Sequence, residues 1–283
     1  MGKGEDIMGA FISKEEVLGK LSQDNIRIVD CRFQLGNPTF GVKAYEEGHI
    51  PGAVYFHLEN DLSGEVAEHG GRHPLPDMGD FQQVLEEAGI SNDTEVIAHD
   101  GGEGAFAARL WWLLKYVGHE KVQILNGGYK EWAAANYPTT VDTHTYPRAN
   151  FNIHIQEEML VSVEEVKQAT MDENAVLIDS RENRRYLGLE EPIDKKAGHI
   201  PTAINKVWME AFENGRFKSP EGQAERFADL NKDQPMIVYC GSGVTATPNY
   251  IALKEAGFSD VKLYAGSFSD WISYTEHEVH TGK

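Results

Sequence analysis

Cysteine is nearly missing from this chain, with two residues in 283, Cys31 and Cys240. Two distant thiols do not make a disulfide framework, and no clustered Cys and His set offers the four ligands of a structural zinc site. Long apolar runs are absent too. The burst Leu110-Trp111-Trp112-Leu113-Leu114 falls far short of the roughly 18 residues that cross a bilayer, so no membrane partner is expected. Positive charge is scarce: 26 Lys and Arg face 45 Asp and Glu, a formal net charge of -19. That field repels nucleic acid and anionic lipid, so any anion site must be a local arrangement of amides and arginines. The start, Met1 to Asp6, has neither a signal peptide's apolar core nor the Ser or Thr at position 6 that myristoylation favours. The expectation is a cytoplasmic protein in a reducing compartment. No pattern calls for a metal or an organic cofactor.

What the chain has is ordinary globular composition, 41% hydrophobic and 25% charged, and a length that suits two domains. It also repeats itself. Ile28-Val29-Asp30-Cys31-Arg32 leads to Gly48-His49-Ile50-Pro51, and Leu177-Ile178-Asp179-Ser180-Arg181 leads to Gly198-His199-Ile200-Pro201. A second pair begins at Val96-Ile97-Ala98-His99-Asp100-Gly101 and at Met236-Ile237-Val238-Tyr239-Cys240-Gly241. These end at Gly127-Gly128-Tyr129 with Trp132 and at Gly266-Ser267-Phe268 with Trp271. Between the halves, Tyr137 to Glu158 holds Pro138 and Pro147 without helical periodicity, an extended connector.

Within each half, short β-branched apolar runs alternate with amphipathic stretches that end in Gly: Phe81 to Gly89, Ala105 to Gly118, Thr247 to Gly257. Strands alternating with helices of this length predict an α/β fold with a mainly parallel sheet covered by helices.

The chemistry concentrates at Cys240. Gln234 to Tyr239 reads as a buried strand and Thr247 onward as a helix with Pro248 in its first turn, so the loop Cys240 to Thr245 joins strand to helix. Its glycines allow the backbone N–H groups to converge into an anion nest at a helix N-terminus, which favours thiolate over thiol. A phosphatase also uses a cysteine in such a loop. Phosphate recognition calls for a loop arginine, however, and none occurs between Cys240 and Lys254. Cys31, at a strand end where the repeat has Ser180, reads as a structural thiol. His49 and His199, and the pairs Asp30 with Arg32 and Asp179 with Arg181, occur in both halves and read as fold-stabilising.

Taken together, Gly-His-Ile-Pro twice, Asp-x-Arg twice, and Cys240-Gly241-Ser242-Gly243-Val244-Thr245-Ala246 resemble the rhodanese superfamily, in particular its tandem-domain thiosulfate and 3-mercaptopyruvate sulfurtransferases. The resemblance runs from about Phe11 to Tyr274. It implies two tandem rhodanese-like domains, at 8–138 and 159–283, joined by a linker at 139–158. Only the second is catalytic, because Asp100 stands where the first would need its Cys.

The implied activity moves a sulfane sulfur from a small anionic donor to a thiol or cyanide acceptor, thioredoxin and glutathione among the thiols, through a Cys240 persulfide. 3-Mercaptopyruvate is the favoured donor and thiosulfate the alternative; a persulfide carrier or scaffold is the non-enzymatic reading. Gly241, Ser242, Gly243, Val244 and Thr245 would cradle the donor, and Arg185 matches the family arginine that binds it. His73 resembles a first-domain histidine that reaches the cleft, with Ser242 as its counterpart for relaying a proton to the departing enolate. Glu59 stands near the family's acidic partner. The family's mercaptopyruvate enzymes commonly carry a second arginine before Gly-His-Ile-Pro. Here Glu191 to Lys196 has none, and Lys195 or Lys196 is the expected substitute.

Overall fold

The computed structural model describes residues 9–282. Met1 to Asp6, and the outermost residues of the expected domain bounds, 8 and 283, lie outside them. In the first half β1 (Phe11–Ile12), β2 (Ile26–Asp30), β3 (Val54–Tyr55), β4 (Glu95–His99) and β5 (Val122–Leu125) form one sheet in the order β1-β5-β4-β2-β3. In the second half come β6 (Val176–Asp179), β7 (Ile204–Asn205), β8 (Phe212–Glu213), β9 (Arg216–Phe217), β10 (Met236–Tyr239) and β11 (Val261–Leu263). Four of these make a sheet ordered β11-β10-β6-β7, while β8 and β9 form a separate antiparallel hairpin. Every pairing in the two larger sheets is parallel, so the loops leaving their strands emerge along one edge.

The helix stops fall where glycine predicts them. The helix Ala105–Tyr116 ends ahead of Gly118 at φ +83°, and Thr247–Glu255 ends ahead of Gly257 at φ +90°. This left-handed conformation closes a helix at little steric cost only for glycine. Pro248 sits in the first turn of its helix, where a missing N–H costs nothing.

The same two helices pack against each other and join the halves. Trp112 presents its face to the edge of Tyr250 at 6.4 Å, and a single hydrophobic core takes in Trp112 and Leu114 from one half and Ile251 and Leu253 from the other. Phe11 of β1 stacks on Phe217 of β9 at 4.1 Å. The connector runs extended along this body, with Phe151 buried and Tyr146 lying 3.6 Å from the Arg27 guanidinium.

The sequence repeat reappears as repeated geometry. Asp30 and Asp179 each grip the arginine two residues on at 2.6 Å, and those arginines donate to the carbonyls of Gly48 and Gly198. Arg32 lies over Tyr129 at 4.0 Å and Arg181 over Phe268 at 3.9 Å. His49 and His199 place Nδ1 against the carbonyls of Tyr45 and Tyr186 and stack on those rings at 3.8 and 3.9 Å. These groups knit strand ends to loops, and Arg181 also reaches Glu191 at 3.2 Å. Cys31 is buried, and burial together with Asp30 pushes its thiol pKa well up, so it stays neutral.

Candidate active site

Cys240 follows β10, the inner strand between β11 and β6, and is 1% exposed. Its own N–H donates to the Ser267 hydroxyl at 3.1 Å, and its carbonyl accepts from Phe268 N–H. Beyond it the chain curls sharply. Gly243 adopts φ +76°, and a Cβ there would lie 2.1 Å from the Ala265 carbonyl oxygen. Among the described residues, the N–H groups of Ser242, Gly243, Val244 and Thr245 meet no acceptor.

The corresponding loop of the first half shows what such amides do. There the Asp100 carboxylate accepts from the N–H groups of Gly102 at 3.0 Å, Gly104 at 2.9 Å, Phe106 at 3.1 Å and Ala107 at 3.2 Å. In that half an aspartate side chain fills the nest; in the second half a sulfur stands at its rim with the amides free. Curled loops of this kind collect anions because successive N–H dipoles point inward ahead of a helix N-terminus.

Three arginines surround the Cys240 loop. A Cβ on Gly241 would lie 2.8 Å from one Arg72 nitrogen and 3.5 Å from one of Arg185, which places both guanidinium groups against the loop. Arg109 is fully buried. It donates to the carbonyls of Gly243, His73, Pro74 and Leu62, tying the Cys240 loop to the first half. Burial lowers the Arg109 pKa to about 10, against an upward pull from Cys240. It remains a cation at neutral pH.

His73 is buried, with Nδ1 2.8 Å from the Ser242 oxygen. Desolvation, followed by the charges of Arg109 and Arg72, lowers its pKa to about 4, so the ring is neutral at pH 7. Of the residues singled out from sequence, Cys240, Ser242, His73 and Arg185 thus converge on one place with Gly241, Gly243, Val244 and a partly exposed Thr245.

Two expectations are corrected. Lys195 and Lys196 are exposed and supply no charge to the loop; the second cation is Arg72, which arrives from the other half. Glu59 is exposed and makes no hydrogen bond to His73 among the described residues; its N–H donates to His57 Nδ1. Glu68 to Gly71, an insertion relative to the family that the sequence resembles, has a purpose. His69 stacks on Tyr274 at 4.1 Å, Gly70 N–H donates to Asp270, and Arg72 N–H donates to Ser269, so the insertion docks on the second half and delivers Arg72.

Arg72, Arg109 and Ser267 were missed in the sequence. Arg109 did leave a signal, as the one arginine inside the apolar helix Ala105–Tyr116. Ser267 left another, as a serine where the repeat has Gly128. Both residues hold positive φ, +59° at Gly128 and +56° at Ser267.

Comparison with known proteins agrees with this layout. The model of the rhodanese-like domain matches twice, at residues 13–135 and 162–274. A Pseudomonas aeruginosa protein named "Probable 3-mercaptopyruvate sulfurtransferase" is 38% identical over 96% of this chain and 98% of its own. The thiosulfate sulfurtransferase of Rattus norvegicus is 34% identical over 92% of this chain and 89% of its own. The crystal structure of SseA from Escherichia coli superposes with a TM-score of 0.83 at 32% identity, covering 93% of this chain and 100% of that one. With a doubled domain match and relatives similar over nearly the whole chain, this chain belongs to the rhodanese-like family.

Proposed function

We propose that this protein, a sulfurtransferase, moves sulfane sulfur through a persulfide on Cys240, with 3-mercaptopyruvate as the favoured donor and the first half silent because Asp100 replaces the nucleophile. The observation that carries the reading is the set of unpartnered loop amides after Cys240, against the corresponding loop of the first half, where the Asp100 carboxylate takes four N–H groups. The loop amides and the guanidinium groups of Arg72, Arg109 and Arg185 would stabilise the negative charge of a persulfide's terminal sulfur.

The Cys240 thiolate attacks the thiol sulfur of 3-mercaptopyruvate. The S–S bond forms as the C–S bond breaks, and the electron pair of that bond leaves with pyruvate as its enolate. The donor's S–H proton, released as the outer sulfur of the persulfide ionises, passes along Ser242 and His73 to the enolate carbon. With thiosulfate the same attack expels sulfite, which needs no proton. The His73 and Ser242 contact therefore supports 3-mercaptopyruvate over thiosulfate. In the second half of the cycle a thiol acceptor, thioredoxin or glutathione among them, or cyanide attacks the outer sulfur and frees the thiolate. Arg185 binds the donor's anionic group. Two free cysteines suit a reducing, cytoplasmic setting. Among the described residues no helix is long and apolar enough to cross a membrane.

The test is steady-state transfer from each donor to cyanide on one preparation, beside Cys240→Ser. The expected result is multiple turnover, a preference for 3-mercaptopyruvate and an inert variant. Transfer by Cys240→Ser at the parental rate contradicts the reading. A single turnover identifies a carrier, and a strong thiosulfate preference overturns the favoured donor.

A further inference from the structure

Arg72 and Asp194 bridge the two halves directly over the catalytic loop. Arg72, from the first half, donates to one Asp194 oxygen, while Arg185 donates to the other at 2.9 Å. Arg185 also holds Glu191 at 2.8 Å. The Asp194 carboxylate is 3% exposed, and Cys240 beneath this layer is 1% exposed. A carboxylate between two guanidinium groups next to a nucleophilic sulfur is what a bound carboxylate donor would look like. Here the protein provides it from its own chain.

We infer that Asp194 is a tethered surrogate for the donor anion, and that Arg72 is a donor-binding residue supplied across the seam between the halves. The inference rests on the sulfurtransferase reading for its choice of ligand. In the donor-free protein Asp194 satisfies Arg72 and Arg185. An arriving donor exchanges its own carboxylate for Asp194 on Arg72, and the displaced side chain swings outward and uncovers Cys240. Arg72 can play this part because the docked insertion fixes its backbone. Its N–H bonds Ser269, and Gly71 packs so close to Gly266 that a Cβ would lie 2.3 Å from the carbonyl oxygen. A guanidinium suits the task, since its planar fork matches a carboxylate at either of two partners. The exchange also provides selectivity. A neutral molecule cannot take the place of Asp194, so it finds the sulfur covered.

The probes are iodoacetate and iodoacetamide, nearly equal in size and different in charge. Each alkylates a thiolate with loss of iodide, so no turnover is needed to read the result. Rates of modification at Cys240, assigned by peptide mass to separate it from the buried Cys31, are measured for the parent, Asp194→Asn and Arg72→Gln. Removing the competing charge should speed iodoacetate by about fivefold or more in Asp194→Asn while changing iodoacetamide by less than about twofold. Arg72→Gln should slow iodoacetate by a similar factor and raise the KM for 3-mercaptopyruvate about tenfold, with kcat falling less. Thermal unfolding of each variant checks that the fold is kept.

Equal changes for both probes in Asp194→Asn would make the pair a steric clasp and overturn the inference. An unchanged charge ratio in Arg72→Gln would overturn it as well. If the charge pattern appears while no donor loads Cys240 in the parent, the anion site stands and the sulfurtransferase reading falls.

Discussion

His73 Nδ1 and Ser242 Oγ lie 2.8 Å apart, a contact between residues 169 positions distant that links the two halves at the Cys240 loop. In the proposed reaction this pair serves the leaving enolate, so its removal should affect one donor far more than the other. His73→Ala and Ser242→Ala are expected to slow persulfide formation from 3-mercaptopyruvate by about 100-fold, the scale of one positioned proton donor, and from thiosulfate by only a few-fold. Single-turnover loading with each donor checks this. The His73 pKa of about 4 adds a second mark: the acid limb it causes belongs near pH 4 and not near 6.5.

Asp100 should be structural. Its carboxylate satisfies four buried or half-buried amides that no other group reaches. Asp100→Ala strands them and is expected to cost about 2–4 kcal/mol, since each lost charge-assisted bond leaves a donor unpaired. Urea unfolding should show that loss while Cys240 still loads with sulfur. A variant as stable as the parent would mean that water replaces the carboxylate at no cost.

Ser267 is held at φ +56° and bonds both Cys240 N–H and the Tyr264 carbonyl. Such a conformation costs a non-glycine residue about 1–3 kcal/mol, and the hydroxyl offsets it. Ser267→Ala keeps the strain without the bonds and should destabilise by about 1–2 kcal/mol. Ser267→Gly relieves the strain and should lie closer to the parent. Both should slow sulfur loading, because the Cys240 backbone loses its anchor. Equal stability of the two variants would show that the hydroxyl alone matters.

Two neutral histidines should make the fold acid-sensitive. Burial lowers His73 and His119 to about 4, and both His119 ring nitrogens lack partners among the described residues. An unfolded imidazole takes up its proton near pH 6.5, whereas these do so only near 4. Between those values the unfolded state binds more protons. Stability is therefore full above 6.5 and falls as pH drops toward 4, by about 1.4 kcal/mol per unit for each ring. His119→Phe, which keeps a ring against Phe151, should make the loss between pH 7 and 5 smaller than in the parent. An identical slope would assign the acid sensitivity elsewhere.

The repeat, the parallel sheets, the glycine stops and the Cys240 loop were legible because each depends on residues close together along the chain. Gly118 and Gly257 announced helix ends through backbone sterics alone, and His49 and His199 identified themselves as structural by occurring twice. Arg72 could not be read this way. It follows the Glu68 to Gly71 segment, and its place beside Gly241 depends on His69 meeting Tyr274, residues far apart in sequence. Along the chain the positive charges just ahead of Gly198 are Lys195 and Lys196, whereas the fold draws its second cation from the opposite half. Arg109 was hidden by its setting, since a helix of apolar residues hid a charge that four carbonyls satisfy.

The central claim is that Cys240 holds a transferable sulfur in a nest of amides. Intact-mass and peptide-mass spectra, taken after exposure to 3-mercaptopyruvate and removal of excess donor, test it most directly. The account predicts a protein one sulfur atom heavier, with the added mass on the Cys240 peptide and its loss as thiocyanate when cyanide is added. An unshifted mass in an actively transferring protein, or a sulfur lodged on Cys31, would contradict it.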